Sequence, residues 1–453
     1  MCEGLLSGTD CIDRNMIKTR RLRSAILTST HSRTVDLKPA RLVWQEKTDL
    51  QFILSVEHGI RGVAAAGEHI NNSFDRETGL KVYSLYSENP HVLSSEIRNL
   101  VSSIDCIIYD LPDVGSRYYT YISSAFLLLE LCAELKKKFL IVDHPNPIGG
   151  CVFEGFGMED DQLSFVSAYD IPVRYGLTSG ELFSLYCREK NLLVDLEIIK
   201  MNHWNRDIVI GDKLPFMIPS PNLPNIEACL LYPGTCLFEG TEFSEGRGTA
   251  RPFTSFSAPF INCERLLPYL DELDLSNLVL VPTYFIPQSS KYKGQLCEGF
   301  SIEIIGNDRA NNSMSKYKAY VELRSLNEII KLFERLVEIY PFAFAEDAEI
   351  SNLSKTCINE DYLRNRGFNY SDLTREPLDI NEVVNISDSN SPDSTQAINL
   401  RYSNSSSVKR NKFLAKLIGQ NLIDNKFNYS YFKDKEERYI TKYKERISDI
   451  LIY

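Results

Sequence analysis

Two apolar patterns recur along this chain. Short, nearly continuous apolar runs stand at Arg23–Ser29 (RSAILTS), Leu50–Val56 (LQFILSV), Asp105–Leu111 (DCIIYDL) and Phe139–Asp143 (FLIVD). Such runs predict strands buried on both faces. Between the last two, Tyr118–Lys137 carries apolar residues at helical spacing and runs into three lysines, a favourable charge for the C-terminal end of a helix. Thr178 with Glu181 reads as a capped helix start, the helix reaching Lys190, and Leu192–Lys200 (LLVDLEIIK) as a further strand. Strands alternating with helices predict an α/β fold, a doubly wound parallel sheet.

The pattern changes around His203–Asp207, so a boundary is expected there, dividing the chain into 1–205 and 206–453. Beyond it come a proline-rich stretch (Ile218–Pro224), strands at Val279–Phe285 and Phe300–Ile305, and an amphipathic helix over Ser325–Tyr340. Residues 384–412 turn polar and read as a mobile segment; a closing helix is expected over Glu436–Tyr453.

With 453 residues, 43% of them hydrophobic, the chain is long enough for two domains of globular type. A net charge of −11 argues against nucleic acid or an anionic membrane as principal partner. No apolar run approaches the roughly 20 residues of a membrane span, and no secretory signal opens the chain, so a cytoplasmic location is expected. The eleven cysteines show no CxxC pair and read as reduced, mostly buried small side chains. No metal-ligand spacing is present and no cofactor is expected; the sequence leaves a homodimer open.

The loops after the predicted strands carry the chemistry. The strand ends lead into Glu57-His58-Gly59, Pro112-Asp113-Val114-Gly115-Ser116-Arg117 and His144-Pro145-Asn146. In open α/β sheets ligands bind at the carboxyl ends of strands, so Glu57, Asp113, Arg117, Asp143 and Asn146 are expected along one rim. A second polar loop places Glu239, Glu242 and Glu245 among glycines with Arg247 and Arg251. Such segments are either solvated turns or sites that use their acids. No GxGxxG, GxxxxGK[ST] or GxSxG occurs, which removes the usual dinucleotide, P-loop and serine-elbow chemistries and leaves carboxylates as the competent groups.

The motifs EHGIRG (57–62), AGE (66–68), ETGLKVYSLY (77–86), DVGSRYYTY (113–121), DHPNPIGG (143–150), PSPNLP (219–224), YPGTCLFEGTEFSEGRGTARPF (232–253) and SKYKGQLCEG (290–299) occur in order. Together they resemble the NamZ-type exo-β-N-acetylmuramidases. The resemblance implies a Rossmann-like N-terminal domain joined to a smaller α/β domain with a cleft between them. It also implies a glycoside hydrolase that releases N-acetylmuramic acid from the non-reducing ends of peptidoglycan fragments, in wall turnover. The chain departs from the family's usual arginine at His144. The implied partner is a muropeptide or MurNAc-terminated oligosaccharide.

Glycoside hydrolysis generally uses two carboxyl groups. Glu57, at a strand end, is the first candidate; Glu245 and Glu239 compete as its partner, and His58 could tune the neighbouring acid. The lactyl carboxylate of N-acetylmuramic acid calls for a guanidinium, offered by Arg61, Arg117, Arg247 or Arg251. Glu68, Asp113, Asp143 and Asn146 are further binding candidates, and Tyr119, with Tyr118 and Tyr121, offers a stacking face unless these rings are core. Two other readings stay open: a peptidoglycan-binding protein without catalysis, and a metal-dependent hydrolase using Glu57, His58, Asp113 and Asp143.

Overall fold

The computed structural model describes residues 4–12, 22–64, 67–68, 70–86, 89–210, 216–305, 316–344, 405–420 and 428–453. Ala66 of the AGE motif and 384–404 of the polar segment lie outside them. The chain forms two compact units, one of Met1–Pro233, Asp308–Arg324 and Asp434–Tyr453, the other of Gly234–Asn307 and Ser325–Lys433. The chain therefore leaves the first unit after Pro233, and residues 206–233, expected in the second domain, belong to the first.

Seven strands build the first unit's sheet: β1 (Arg23–Thr28), β2 (Asp49–Ser55), β3 (Ser73–Phe74), β4 (Lys81–Ser84), β5 (Cys106–Asp110), β6 (Lys138–Val142) and β7 (Asp195–Ile199). Their order is β3-β4-β2-β1-β5-β6-β7, parallel throughout except for the β3–β4 edge pair. From β1 the chain lays β2, then the edge strand β3 and β4 between them, to one side, and returns past β1 to lay down β5, β6 and β7 on the other. The winding reverses between β1 and β5, where a doubly wound sheet opens its crevice.

The apolar runs became strands because both faces are covered. Ala25, Ile26 and Leu27 are fully buried, as are Ile107, Ile108 and Tyr109. Helices α1 (Ala40–Lys47), α2 (Ser95–Ser102), α3 (Thr120–Glu134) and α4 (Ser179–Glu189) belong to this unit. In α4 the expected capping box is complete, the Thr178 hydroxyl accepting from the Glu181 N–H and the Glu181 carboxylate from the Thr178 N–H. Helix α5 (Ile226–Thr235) carries Pro233 inside it, which hid it from a reading in which proline ends a helix.

The second unit holds an antiparallel sheet of β8 (Ser255–Ala258), β9 (Leu278–Phe285) and β10 (Cys297–Ile304) in the order β8-β10-β9. Helices α6 (Cys263–Leu270), α8 (Ser325–Ile339) and α9 (Ser405–Ile418) accompany it, while α7 (Lys316–Glu322) belongs to the first unit. Its core is aromatic: Phe238 stacks on Phe256 with centroids 4.9 Å apart and meets Phe333 at 4.7 Å. Helix α9 corrects the reading of 384–412 as one mobile stretch, since Ser405 onward is helical and Leu414, Leu417 and Ile418 supply a buried face. The closing helix α10 runs Tyr429–Ile447, beginning and ending before the expected bounds.

Candidate functional site

The loops that leave β1, β5 and β6 surround a cavity of about 80 Å³ at the reversal point, lined among others by Asp10, His31, Arg33, Asp113 and His144. At its base Asp110, the last residue of β5, is fully buried. Its carboxylate accepts from Thr9 Oγ1 (3.1 Å), Ser32 Oγ and Trp44 Nε1 (2.9 Å), and lies 2.8 Å from His144 Nε2. A carboxylate surrounded by donors has no proton to give, so His144 carries its hydrogen on Nε2 and keeps Nδ1 for another partner.

Arg33 is braced through Nε to Thr30 O (2.9 Å) and through an Nη to Leu37 O (2.8 Å). Asp10 is occupied by the Ser7 N–H and hydroxyl and by the Val35 N–H. Asp113 accepts from Val114 N (2.7 Å) and from the Tyr175 hydroxyl. Burial pushes its carboxyl up to about 7, with the charge of Asp143 adding to the shift against two backbone N–H groups. Burial and desolvation, then the positive charge of Arg33, hold His31 below its ordinary value.

Next to β1, Glu57 follows the end of β2. One carboxylate oxygen accepts from Gly67 N (2.9 Å), the other from Thr120 Oγ1 (2.5 Å), the first residue of α3. The residue keeps 9% exposure. His58 beside it holds φ +69°, a left-handed conformation that a histidine adopts only where its surroundings impose it. Its Nδ1 lies 2.8 Å from Ala64 O, which can only accept, so Nδ1 carries the hydrogen and Nε2 faces Ser220 Oγ at 3.2 Å. Arg61 and Glu68 are exposed on the same stretch.

The other rim candidates serve the fold. Arg117 is buried and donates to Phe156 O (2.7 Å) and Ile171 O (2.6 Å). Asp143 is fully buried at the start of α4, accepting from Gly180 N (3.0 Å) and Thr178 Oγ1 (2.8 Å). Burial pushes it up to about 6. Asn146 accepts from Ile148 N (3.2 Å) in its own loop and donates to Leu177 O (3.0 Å), next to the Thr178 cap of α4. Tyr118, Tyr119 and Tyr121 are all buried, and the hydroxyls of Tyr119 and Tyr121 both donate to Pro219 O, so these rings are core and offer no stacking face.

In the second unit the glutamate loop is closed upon itself. Glu245, 1% exposed, lies 3.2 Å from Lys291 Nζ and 3.3 Å from Arg247 Nε, while Glu239 takes another nitrogen of Arg247 at 2.7 Å. Burial acts to raise the Glu245 carboxyl, but Lys291 and Arg247 outweigh it and hold it below the ordinary range. Lys291 also donates to Phe238 O and Phe243 O. Gly246, at φ +83°, makes the turn possible; a Cβ there would stand 2.3 Å from Arg251 O. Arg251 is half-exposed and bonds Ser301 and Glu303. Arg247 and Arg251, expected as carboxylate clamps for a ligand, thus hold carboxylates of the chain itself.

Sequence reading missed Asp110, Arg33 and Thr120. Asp110 carried a signal, a charged residue closing a strand buried on both faces; Arg33 and Thr120 carried none. Among the described residues no group of three or more His, Cys, Asp or Glu is placed to hold a metal ion, and no helix is long and apolar enough to cross a membrane. No disulfide joins the described cysteines, most of which are buried.

A doubly wound α/β unit with a ligand-sized opening at its reversal point, followed by a small antiparallel unit, is an architecture with solved counterparts. Two DUF1343 family proteins of Bacteroides fragilis superpose on it with TM-scores of 0.73 and 0.61, each at 22% identity, over 100% and 99% of both chains. Residues 25–227 match the N-terminal model, and residues 230–365 the C-terminal model, of exo-beta-N-acetylmuramidase NamZ. The peptidoglycan beta-N-acetylmuramidase NamZ of Bacillus subtilis (strain 168) is 36% identical over 299 residues, 65% of this chain and 71% of that protein. The chain belongs to the NamZ exo-β-N-acetylmuramidase family.

Proposed function

We propose that the protein is an exo-acting glycosidase that releases N-acetylmuramic acid from the non-reducing end of peptidoglycan fragments, with Glu57 as one of its two working carboxyl groups. Family membership supports the substrate class. The observation that carries the residue is the setting of Glu57: a carboxylate at a rigid strand end, oriented by the Gly67 amide and the Thr120 hydroxyl, both neutral. Neutral donors orient a carboxylate without locking it into an ion pair, which leaves it able to exchange a proton with water or a glycosidic oxygen. Glu245, held ionised by two cations, has the opposite setting and fits an anion that organises its loop. His58 and Ser220 extend the polar surface beside Glu57.

Incubation of the purified protein with MurNAc-GlcNAc, with chromatographic separation of products, tests the reading. Free N-acetylmuramic acid and N-acetylglucosamine should appear, and should appear equally in the presence of a chelator. An intact disaccharide, or release that returns only with a divalent ion, would overturn it.

A further inference from the structure

An arginine at the sheet's crevice asks for a counter-ion. Arg33 is held by two carbonyl oxygens, and among the described residues no carboxylate pairs with it. The acids that share its cavity are otherwise engaged. Asp10 is covered by Ser7 and Val35, Asp113 is bonded by Val114 and Tyr175, and Asp110 is enclosed by its four partners. A braced guanidinium with no carboxylate of its own, facing one small opening, makes a receptor for an anion.

The cavity, about 80 Å³, has room for a small carboxylic acid. On the proposed substrate the lactyl arm is the group that carries such a charge. We infer that this cavity receives the lactyl carboxylate of the N-acetylmuramic acid residue, with Arg33 as its charge partner. The inference rests on the proposed function for the identity of the ligand, and makes Arg33, rather than Arg61, Arg117, Arg247 or Arg251, the residue that separates muramic acid from glucosamine.

Calorimetric titration of the full chain with N-acetylmuramic acid, its lactyl methyl ester and N-acetylglucosamine tests this directly, alongside hydrolysis of MurNAc-GlcNAc. The wild type should prefer the acid to the ester by about ten- to a hundredfold, the range expected for one charge-assisted contact. Arg33→Gln should bring that ratio to within about twofold, and Arg33→Lys should keep part of it. Because Arg33 also braces its loop, thermal melts accompany each variant; if Arg33→Gln does not fold, a reduced ratio in Arg33→Lys decides. Equal wild-type affinity for acid and ester, or an unchanged ratio in a folded Arg33 variant, overturns the inference even if MurNAc-GlcNAc is cleaved. Conversely, an acid preference that depends on Arg33 in a protein that cleaves nothing would uphold the cavity and sink the hydrolase reading.

Discussion

The two glutamate-bearing glycine loops look alike in the sequence and differ in kind in the structure. Each pairs acids with glycine and arginine, and each reads as a place for acid/base chemistry. Around Glu57 the partners are an amide and a hydroxyl; around Glu245 they are Lys291 and Arg247. A sequence displays its acids but not their counter-ions, and the counter-ion decides whether a buried carboxylate is a reagent or a brace. Lys291 stands 46 residues from Glu245, beyond the reach of any local motif.

The largest effect expected from this contrast is on turnover. Glu57→Gln keeps shape and both oriented contacts in altered form while removing proton exchange, so release of N-acetylmuramic acid should fall by at least about 10²-fold with the melting curve unchanged. A near-wild-type rate in steady-state kinetics would remove Glu57 from the chemistry and collapse the contrast.

Glu245→Gln should act mainly on stability. It removes the anion that Lys291 and Arg247 share, Arg247 keeping Glu239, a loss on the order of 3 kcal/mol where a buried pair is broken on one side. Thermal or denaturant unfolding should register it. Adding Lys291→Met to that variant should restore part of the loss, because the cation that Glu245 balanced is then gone; a double variant no better than the single one would contradict the brace.

Protonation offers a finer probe, within the first unit. Asp113 and Asp143 have folded-state values of about 7 and about 6, both above the 3.8 of an unperturbed aspartate. A raised acid binds its proton more tightly when folded, so its favourable contribution is complete below 3.8 and is lost as pH rises through the folded value. Wild-type stability should therefore decline from about pH 4 towards pH 7 relative to Asp113→Asn, which has no proton to lose. Parallel stability profiles for the two proteins across that window would show that Asp113 is not held protonated.

The fold was largely legible because burial on both faces writes itself as unbroken apolar runs, as in β1, β2, β5 and β6, and because the Thr178–Glu181 cap is a local device. Helix α5 escaped because Pro233 near its end imitates a stop. The site was less legible for a different reason. Asp143, Arg117 and Asn146 occupy strand-end loops as expected, yet their side chains bond backbone groups of distant segments, Gly180, Phe156 and Leu177, which no spacing rule foretells. Arg33 lies in an unremarkable stretch, HSRTVD, and gains its place only because β1 and β5 become neighbours across the reversal of the sheet.

The smallest expected effect belongs to Arg251→Ala. If the glycine loop of the second unit is internally organised, its outermost arginine should matter little. Arg251 is half-exposed and pairs with a similarly exposed Glu303, an arrangement worth about 0–1 kcal/mol once solvent screening and side-chain entropy are counted. The variant should melt within a degree or two of wild type and retain its preference for muramic acid over glucosamine substrates. Measured as the ratio of kcat/KM on matched 4-nitrophenyl glycosides, that preference should change by less than about twofold. A tenfold loss confined to the muramic acid substrate would mean that Arg251 trades Glu303 for a ligand carboxylate, and the second loop would then have to be counted as a binding surface as well as a brace.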